Sequence, residues 1–196
     1  MPSVLEVFTV KALFISLLSI AALALAGCET TGGESEGQLS TLSDRSQLSL
    51  KMMQESDPSI KNLISNAYAY ALFPSVGEAA IGVGGAGGKG MVYQGGQQIG
   101  WATLNQGSLG IQLGGQTFAE LIIFQTPDAL SVFKNGTLEF GADAKASLIK
   151  AGGAASGEFN NGTRVLILPK GGLMAGLAIT GQKFTFTEGS VPTGGL

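Results

Sequence analysis

The sequence contains no histidine, and its 196 residues include one cysteine, Cys28. Without histidine the chain lacks the most common general base and a common zinc ligand. With one thiol it cannot form an internal disulfide, so its stability has to come from packing. Charged residues are also scarce, at 13%, and the net charge of -3 provides no basic excess that would attract nucleic acid. These absences disfavour most hydrolases, metalloproteins and nucleic-acid-binding proteins.

The remaining motifs for catalysis or cofactor binding are weak. Residues 82–87 (GVGGAG) follow the glycine pattern of a dinucleotide-binding loop, but residues 88–93 after them read as a strand and not as the required helix. Glu120, Glu139 and Asp143 could form a catalytic carboxylate pair, although solvated faces and helix caps are the more common roles for such residues. No Gly-x-Ser-x-Gly motif is present. We therefore predict a protein that is not an enzyme and has no cofactor or metal site.

An uncharged apolar run, Ala12–Ala26, follows Lys11 near the N-terminus. It is shorter than the roughly 20 residues that cross a bilayer as a helix, so it is typical of a secretion signal. The run ends in Leu25-Ala26-Gly27-Cys28, which resembles a bacterial lipobox. The resemblance implies removal of residues 1–27 and acylation of Cys28, with palmitate among the acyl chains. A buried or free cysteine after an ordinary cleaved signal is the alternative.

The predicted lipid anchor determines the expected location and domain organisation. Glu29 follows Cys28 where aspartate is the usual inner-membrane retention signal, so we expect an outer-membrane protein facing the periplasm. Residues 28–42 are rich in Ser, Thr, Gly and Glu and predict a flexible tether. The folded domain is expected over residues 43–190, with a short tail at 191–196.

Glycine accounts for 31 of the 196 residues, about twice the usual share of roughly 7%. After Pro74, short apolar segments are broken by glycine, as in antiparallel β structure. Gly95-Gly96 and Gly181-Gln182 are typical of hairpin turns. The pattern predicts an α+β fold in which a curled, antiparallel, glycine-rich sheet, a half-barrel or a sandwich, is packed by a few short amphipathic helices.

Three helices are expected. The first runs from a cap at Ser43-Asp44 to about Glu55, with Leu48 and Met52 four residues apart on its apolar face. The second begins at Asp57-Pro58 and extends through Leu72, until Phe73-Pro74 ends it. The third begins at Thr126-Pro127 and ends near Phe133, with Leu130 and Phe133 pointing inward.

Several blocks of the sequence resemble the SYLF lipid-binding family, in its order and spacing. They cover roughly Ser43 to Thr187. They are residues 71–76 (ALFPSV), the glycine-rich run 81–90, residues 108–116 (SLGIQLGGQ), Phe124, Leu130, Phe133, residues 170–176 (KGGLMAG) and residues 181–184 (GQKF).

The resemblance implies a single α+β domain that, in eukaryotic members, binds phosphoinositides and in some cases actin assemblies. Those members bind acidic lipids through a basic N-terminal amphipathic helix. Here the corresponding segment is less basic, because five acidic residues offset its three basic ones. The basic residues are Arg45, Lys51 and Lys61, and the acidic ones are Glu34, Glu36, Asp44, Glu55 and Asp57.

The sequence thus predicts a membrane protein, anchored through acyl chains on Cys28, whose domain binds lipid or another acyl-bearing ligand. The alternative is a structural protein that binds an unknown protein partner through its glycine-rich sheet. Four basic residues are candidate ligand contacts, three of them in or beside the SYLF-like blocks: Lys170, Lys183, Lys89 and Arg164.

Overall fold

The longest elements of the protein are two strands that form one hairpin. The computed structural model describes residues 35–140, 146–149, 158–172 and 181–190. Strand β1 (Ala69–Gln94) has 26 residues and pairs antiparallel with the 28-residue strand β2 (Gln97–Phe124). Gly95 and Gly96 join them with φ of 57° and 81°, a conformation that favours glycine. The predicted turn is confirmed, while the short strands expected on either side of it are parts of two continuous strands.

Three shorter strands extend the sheet on the free side of β2. Strand β4 (Thr163–Gly172) pairs antiparallel with the last part of β2, and β5 (Gln182–Glu188) pairs antiparallel with its first part. Strand β3 (Ser147–Leu148) lies parallel to β4. The α+β class and the curled sheet are confirmed, but the sheet is mixed and not purely antiparallel. Cys28, Asp143 and the tail expected at 191–196 lie outside the described residues.

Strand β1 curls back onto itself at two glycines. A Cβ atom on Gly90 would lie 2.7 Å from the Leu72 carbonyl oxygen and from the Phe73 ring, and one on Gly88 would lie 2.7 Å from the Ser75 carbonyl oxygen. The second half of the strand therefore packs directly on the backbone of its first half. This close approach explains part of the high glycine content.

The sheet has an inner and an outer hydrophobic core on its two faces. Along β1, Ala71 and Phe73 point into the inner core, and Leu72 points into the outer core. Helix α3 (Pro127–Lys134) closes the inner core, where the Phe133 ring lies 5.0 Å from Phe124 and 5.1 Å from Phe184. Thr126 caps this helix through a bond from the Ala129 N–H, and both Leu130 and Phe133 are buried, as predicted.

The second predicted helix is much shorter than expected. Helix α2 covers only Ser59–Ser65, and residues 69–73 (AYALF) begin β1. These residues are apolar because both faces of β1 are covered here, and an unbroken apolar run of this kind does not distinguish a buried strand from a helix. The prediction that the helix extends through Leu72 is therefore wrong. Asp57 does lie at its start, where its Oδ1 accepts a bond from the Ser59 N–H at 3.0 Å.

The first helix, α1 (Glu36–Ser56), begins earlier than predicted. Ser35 and Gln38 form a capping box, in which the Ser35 hydroxyl accepts from the Gln38 N–H and the Gln38 side chain accepts from the Ser35 N–H. Residues 36–42 are therefore helical and not part of a tether. The predicted apolar face is also wrong, because Leu48 and Met52 are exposed. The buried residues are Leu39, Ser46, Ser49 and Met53.

Candidate functional site

Lys170, at the end of β4, lies against helix α1. Its Nζ donates a hydrogen bond to the Ser49 hydroxyl at 3.3 Å. Arg45 precedes Ser49 by one helical turn, so it lies on the same side of α1. Burial, together with the positive charge of Arg45, lowers the pKa of Lys170. Two neighbouring positive charges at a helix surface form a site that an anion would stabilise.

Exposed apolar side chains lie next to this basic pair. Leu48 is 60% exposed and Met52 41% exposed, and both follow Arg45 at helical spacing. Lys51 lies beside them, with its ammonium 4.0 Å from the Glu55 carboxylate. We call the group of Arg45, Leu48, Lys51, Met52 and Lys170 the α1 surface.

Within the part of the chain that the structure describes, no helix is long and apolar enough to cross a bilayer.

The structure changes the charge balance that the sequence indicated for this segment. Asp57 is fully buried, and its carboxylate acts on the Arg164 guanidinium on β4. It therefore does not oppose the basic groups of the α1 surface. Lys170, which is distant in sequence, joins Arg45 there instead. Asp44 and Glu55 remain exposed on α1, so the surface is moderately basic.

Arg164, one of the predicted ligand contacts, is a buried residue. It is 4% exposed, and its guanidinium carbon lies 5.7 Å from the centre of the Phe159 ring. Burial lowers the pKa of Arg164, and the Asp57 carboxylate opposes that change. The side chain thus contributes to the packing of β4 against the helices, and it is not placed to meet a ligand in solvent.

The two other predicted contacts, Lys89 and Lys183, share one face of the hairpin. Lys89 on β1 pairs with Thr103, and Lys183 on β5 pairs with Asn105, two residues further along β2. Paired residues lie on the same face of a sheet, as do residues two apart. Both lysines are exposed, and we call this face, with Thr103 and Asn105, the lysine face. The structure therefore brings together two of the four candidates, places Lys170 against α1 and buries Arg164.

Glu120 is fully buried in the inner core. The Gln182 side-chain amide donates a hydrogen bond from Nε2 to Glu120 Oε2 at 3.0 Å. Burial raises the pKa of Glu120 to about 7, and the bond from Gln182 acts in the opposite direction. Gln106, the β2 residue that pairs with Gln182, is also buried.

The carboxylate pair considered from the sequence receives no support from this geometry. Glu120 contacts an amide, Glu139 is exposed, and Asp143 is not among the described residues. The described part of the chain also contains no cluster of three or more His, Cys, Asp or Glu residues that could hold a metal ion. The sequence drew attention to Glu120 but gave no indication of its partner, because Gln182 is far away along the chain.

The protein thus combines a curled, glycine-rich hairpin with helices α1 and α2 on its outer face. Helix α1 carries a basic, partly apolar surface. Residues 105–189 match the family model described as Ysc84, Las17-binding protein actin regulator. This is the SYLF family that the sequence resembles, and the matched residues run from within β2 to just beyond β5. No curated protein matches the chain significantly.

Proposed function

We propose that this protein is a non-enzymatic lipoprotein of the bacterial envelope whose SYLF domain binds lipid head groups at the membrane surface. The α1 surface is the observation that carries the proposal. It combines basic side chains, which attract anionic head groups, with exposed apolar side chains that can enter the head-group region. The match of residues 105–189 to the SYLF family supports the same function.

The predicted anchor fits this geometry. Ser35, the cap of α1, follows Cys28 by seven residues, a chain length of at most about 25 Å when fully extended. Acyl chains on Cys28 would therefore keep the start of α1 near the lipid head groups. We place the protein at the outer membrane, facing the periplasm, because Glu29 follows the acylated cysteine.

The expected affinity of the domain for the membrane is modest. Each basic residue near an anionic leaflet contributes roughly 1 kcal/mol, and Asp44 and Glu55 offset part of the contribution of Arg45, Lys51 and Lys170. Burial of the exposed apolar surface of Leu48 and Met52 among the head groups adds a favourable free energy of roughly 25 cal/mol per Å². With an acyl anchor for recruitment, weak and reversible recognition of head groups is sufficient. The family description names actin regulation, but an exported domain of this kind has a lipid surface as its neighbour.

A vesicle assay with a soluble form of the protein, residues 29–196, tests the proposal. This form retains the compact unit Ser35–Leu196. We expect it to sediment with vesicles containing phosphatidylglycerol, more strongly at low salt than at high salt. Arg45→Glu together with Lys170→Glu should weaken binding by about tenfold or more, since the two reversals replace attraction by repulsion.

Lys89→Glu together with Lys183→Glu is the matched control, because it reverses the same amount of charge on the lysine face. We expect this variant to bind vesicles as the unmodified protein does. Equal loss in both variants would move the lipid site away from the α1 surface. The protein could instead fail to bind vesicles and retain a protein partner only when the lysine face is intact. That result would favour the alternative predicted from the sequence, a structural protein that binds a protein partner through its sheet.

A further inference from the structure

A cleft of about 260 Å³ lies where helix α2 meets the end of β2. This volume is slightly below the usual range for small-molecule sites, which limits an occupant to a small molecule or to one unit of a polymer. Ser59 lies at one end of the cleft. Its other lining residues come from α2, from the segment after it and from two loops: Asn62, Leu63, Asn66, Ala67, Gln125 and Phe159.

The residues that line the cleft are neutral, and two buried charged residues, Asp57 and Arg164, contact members of the lining. Asp57 Oδ1 accepts hydrogen bonds from the Ser59 N–H and from the Ser59 hydroxyl, at 3.0 and 2.7 Å. Arg164 lies over the Phe159 ring, and its charge interacts with that of Asp57. Both charged residues are buried. The lining itself therefore offers amides, a hydroxyl and apolar surface to a ligand.

Hydrogen bonds order the Gln125 backbone and the Asn66 side chain of the cleft. The Gln125 N–H donates to the Gly162 carbonyl at 2.8 Å, which ties the end of β2 to the turn before β4. The Asn66 side chain donates to the Asn62 carbonyl at 2.8 Å, so its own Oδ1 is held as an acceptor. A site that is ordered before binding loses less conformational entropy when a ligand enters.

We propose that this cleft binds a sugar unit of an uncharged glycan. A primary amide both donates and accepts hydrogen bonds, as a sugar hydroxyl does, and the cleft has three such amides on Asn62, Asn66 and Gln125. A sugar ring also has an apolar C–H face, which Phe159 and Leu63 can contact. The proposal is independent of lipid binding by the α1 surface.

Other occupants fit the same lining less well. An anionic head group would find no charged residue in the lining with which to form an ion pair, and burying a charge without a partner is unfavourable. An acyl chain would cover the amides without satisfying their hydrogen bonds, at roughly 1–3 kcal/mol for each group left unpaired. A sugar satisfies the polar and the apolar parts of the lining together.

Saturation-transfer NMR on the full chain in dodecylphosphocholine micelles, a detergent without sugar, tests the proposal. The probes are N,N′-diacetylchitobiose and maltose, with trialanine as a peptide comparison. We expect saturation of the ring C–H protons of at least one sugar. Asn62→Ala combined with Gln125→Ala should weaken its binding by about tenfold, because two hydrogen bonds are lost. Phe159→Leu should reduce saturation of the ring protons.

Gln97→Ala combined with Asn105→Ala is the matched control, since it removes two exposed amides of the hairpin that lie outside the cleft. This variant should bind the sugar as the unmodified chain does. Three results would overturn the proposal: no saturation of either sugar, sugar binding that is equal in the cleft variant and in the control, or saturation of trialanine alone.

Discussion

Gln182 holds the Glu120 carboxyl group inside the inner core through a single hydrogen bond of 3.0 Å. The bond joins two parts of the curled hairpin, because Gln182 pairs with Gln106 near the start of β2, whereas Glu120 pairs with Phe73 and Ile167 near its end. A hydrogen bond between polar side chains therefore crosses the inner core at the point where the hairpin curls.

Replacing Glu120 by Gln should change the dependence of stability on pH. The pKa of Glu120 is about 7 in the folded protein and near 4.5 when unfolded, so the folded state binds the proton more tightly. The stability associated with the protonated group is present below pH 4.5 and is lost as the pH rises through 7, by about 3 kcal/mol. Urea unfolding at pH 5 and pH 8 measures this loss. The free energy of unfolding should fall more between the two pH values in the original protein than in Glu120→Gln, and the difference should be most of this amount.

The exposed Glu139 provides the control for this experiment. Glu139→Gln should still lose stability between pH 5 and pH 8, because it leaves the buried Glu120 carboxyl group in place. A pH dependence that is identical in the original protein and in Glu120→Gln would show that the buried carboxyl group does not titrate in this range.

Replacing Gly90 by Ala should destabilise the fold by about 2 kcal/mol, since the added methyl group must displace the Leu72 carbonyl and the Phe73 ring. Gly77→Ala is the matched control, because nothing lies within 4 Å of a Cβ atom at that position. Its unfolding free energy should stay within about 0.5 kcal/mol of the original. Thermal or urea denaturation measures both. Equal stability of the two variants would mean that the two halves of β1 do not pack as closely as described.

Replacing both Leu48 and Met52 by Ser should weaken binding to anionic vesicles about tenfold without lowering the unfolding temperature, because these side chains are exposed in the free protein. Val132→Ser on α3 is a suitable comparison, since Val132 is 41% exposed, as Met52 is. It should bind vesicles normally. If Val132→Ser weakened vesicle binding as much as the double variant does, general surface hydrophobicity would explain the binding, and the α1 surface would not.

Replacing Ser35 by Ala should loosen the first turn of α1, at a cost of about 1 kcal/mol, because the Gln38 N–H loses its side-chain acceptor. Hydrogen exchange should become faster at the amides of Gln38 and Leu39. Ser40→Ala is the control, since the Ser40 hydroxyl bonds the Gly37 carbonyl and does not cap the helix. Unchanged exchange in Ser35→Ala would show that the capping box does not hold this turn.

Local sequence signals located some elements well and failed where tertiary contacts decide. Thr126-Pro127 marks the start of α3 because capping and proline geometry act within a few residues. The residues after Tyr68 have the same apolar character in a buried strand as in a buried helix, and only pairing with Leu121–Phe124 makes them a strand. Leu48 and Met52 have the spacing of a buried face, yet the serines of α1 pack on the sheet.

The candidate sites could be anticipated only in part. Lys170 was singled out from its sequence block, but its neighbours Arg45 and Ser49 are more than a hundred residues away along the chain. Arg164 was named for its charge, and only the structure shows that it is buried with Asp57. The cleft beside α2 has no sequence signature, because its amides come from separate segments and have no fixed spacing.

The two glycines between β1 and β2 also determine the order in which the hairpin can form. Pairing Gln94 with Gln97 closes a very short loop. Pairing Ala69 with Phe124 first would close a loop that contains almost all of both strands. Loop-closure entropy therefore favours pairing that starts at the turn and proceeds outward. We expect β4 and β5 to pair with β2 only after this hairpin has partly formed, because β2 provides the edge to which both strands bind. We expect folding to be slow for a domain of this size, with α1 docking among the last steps.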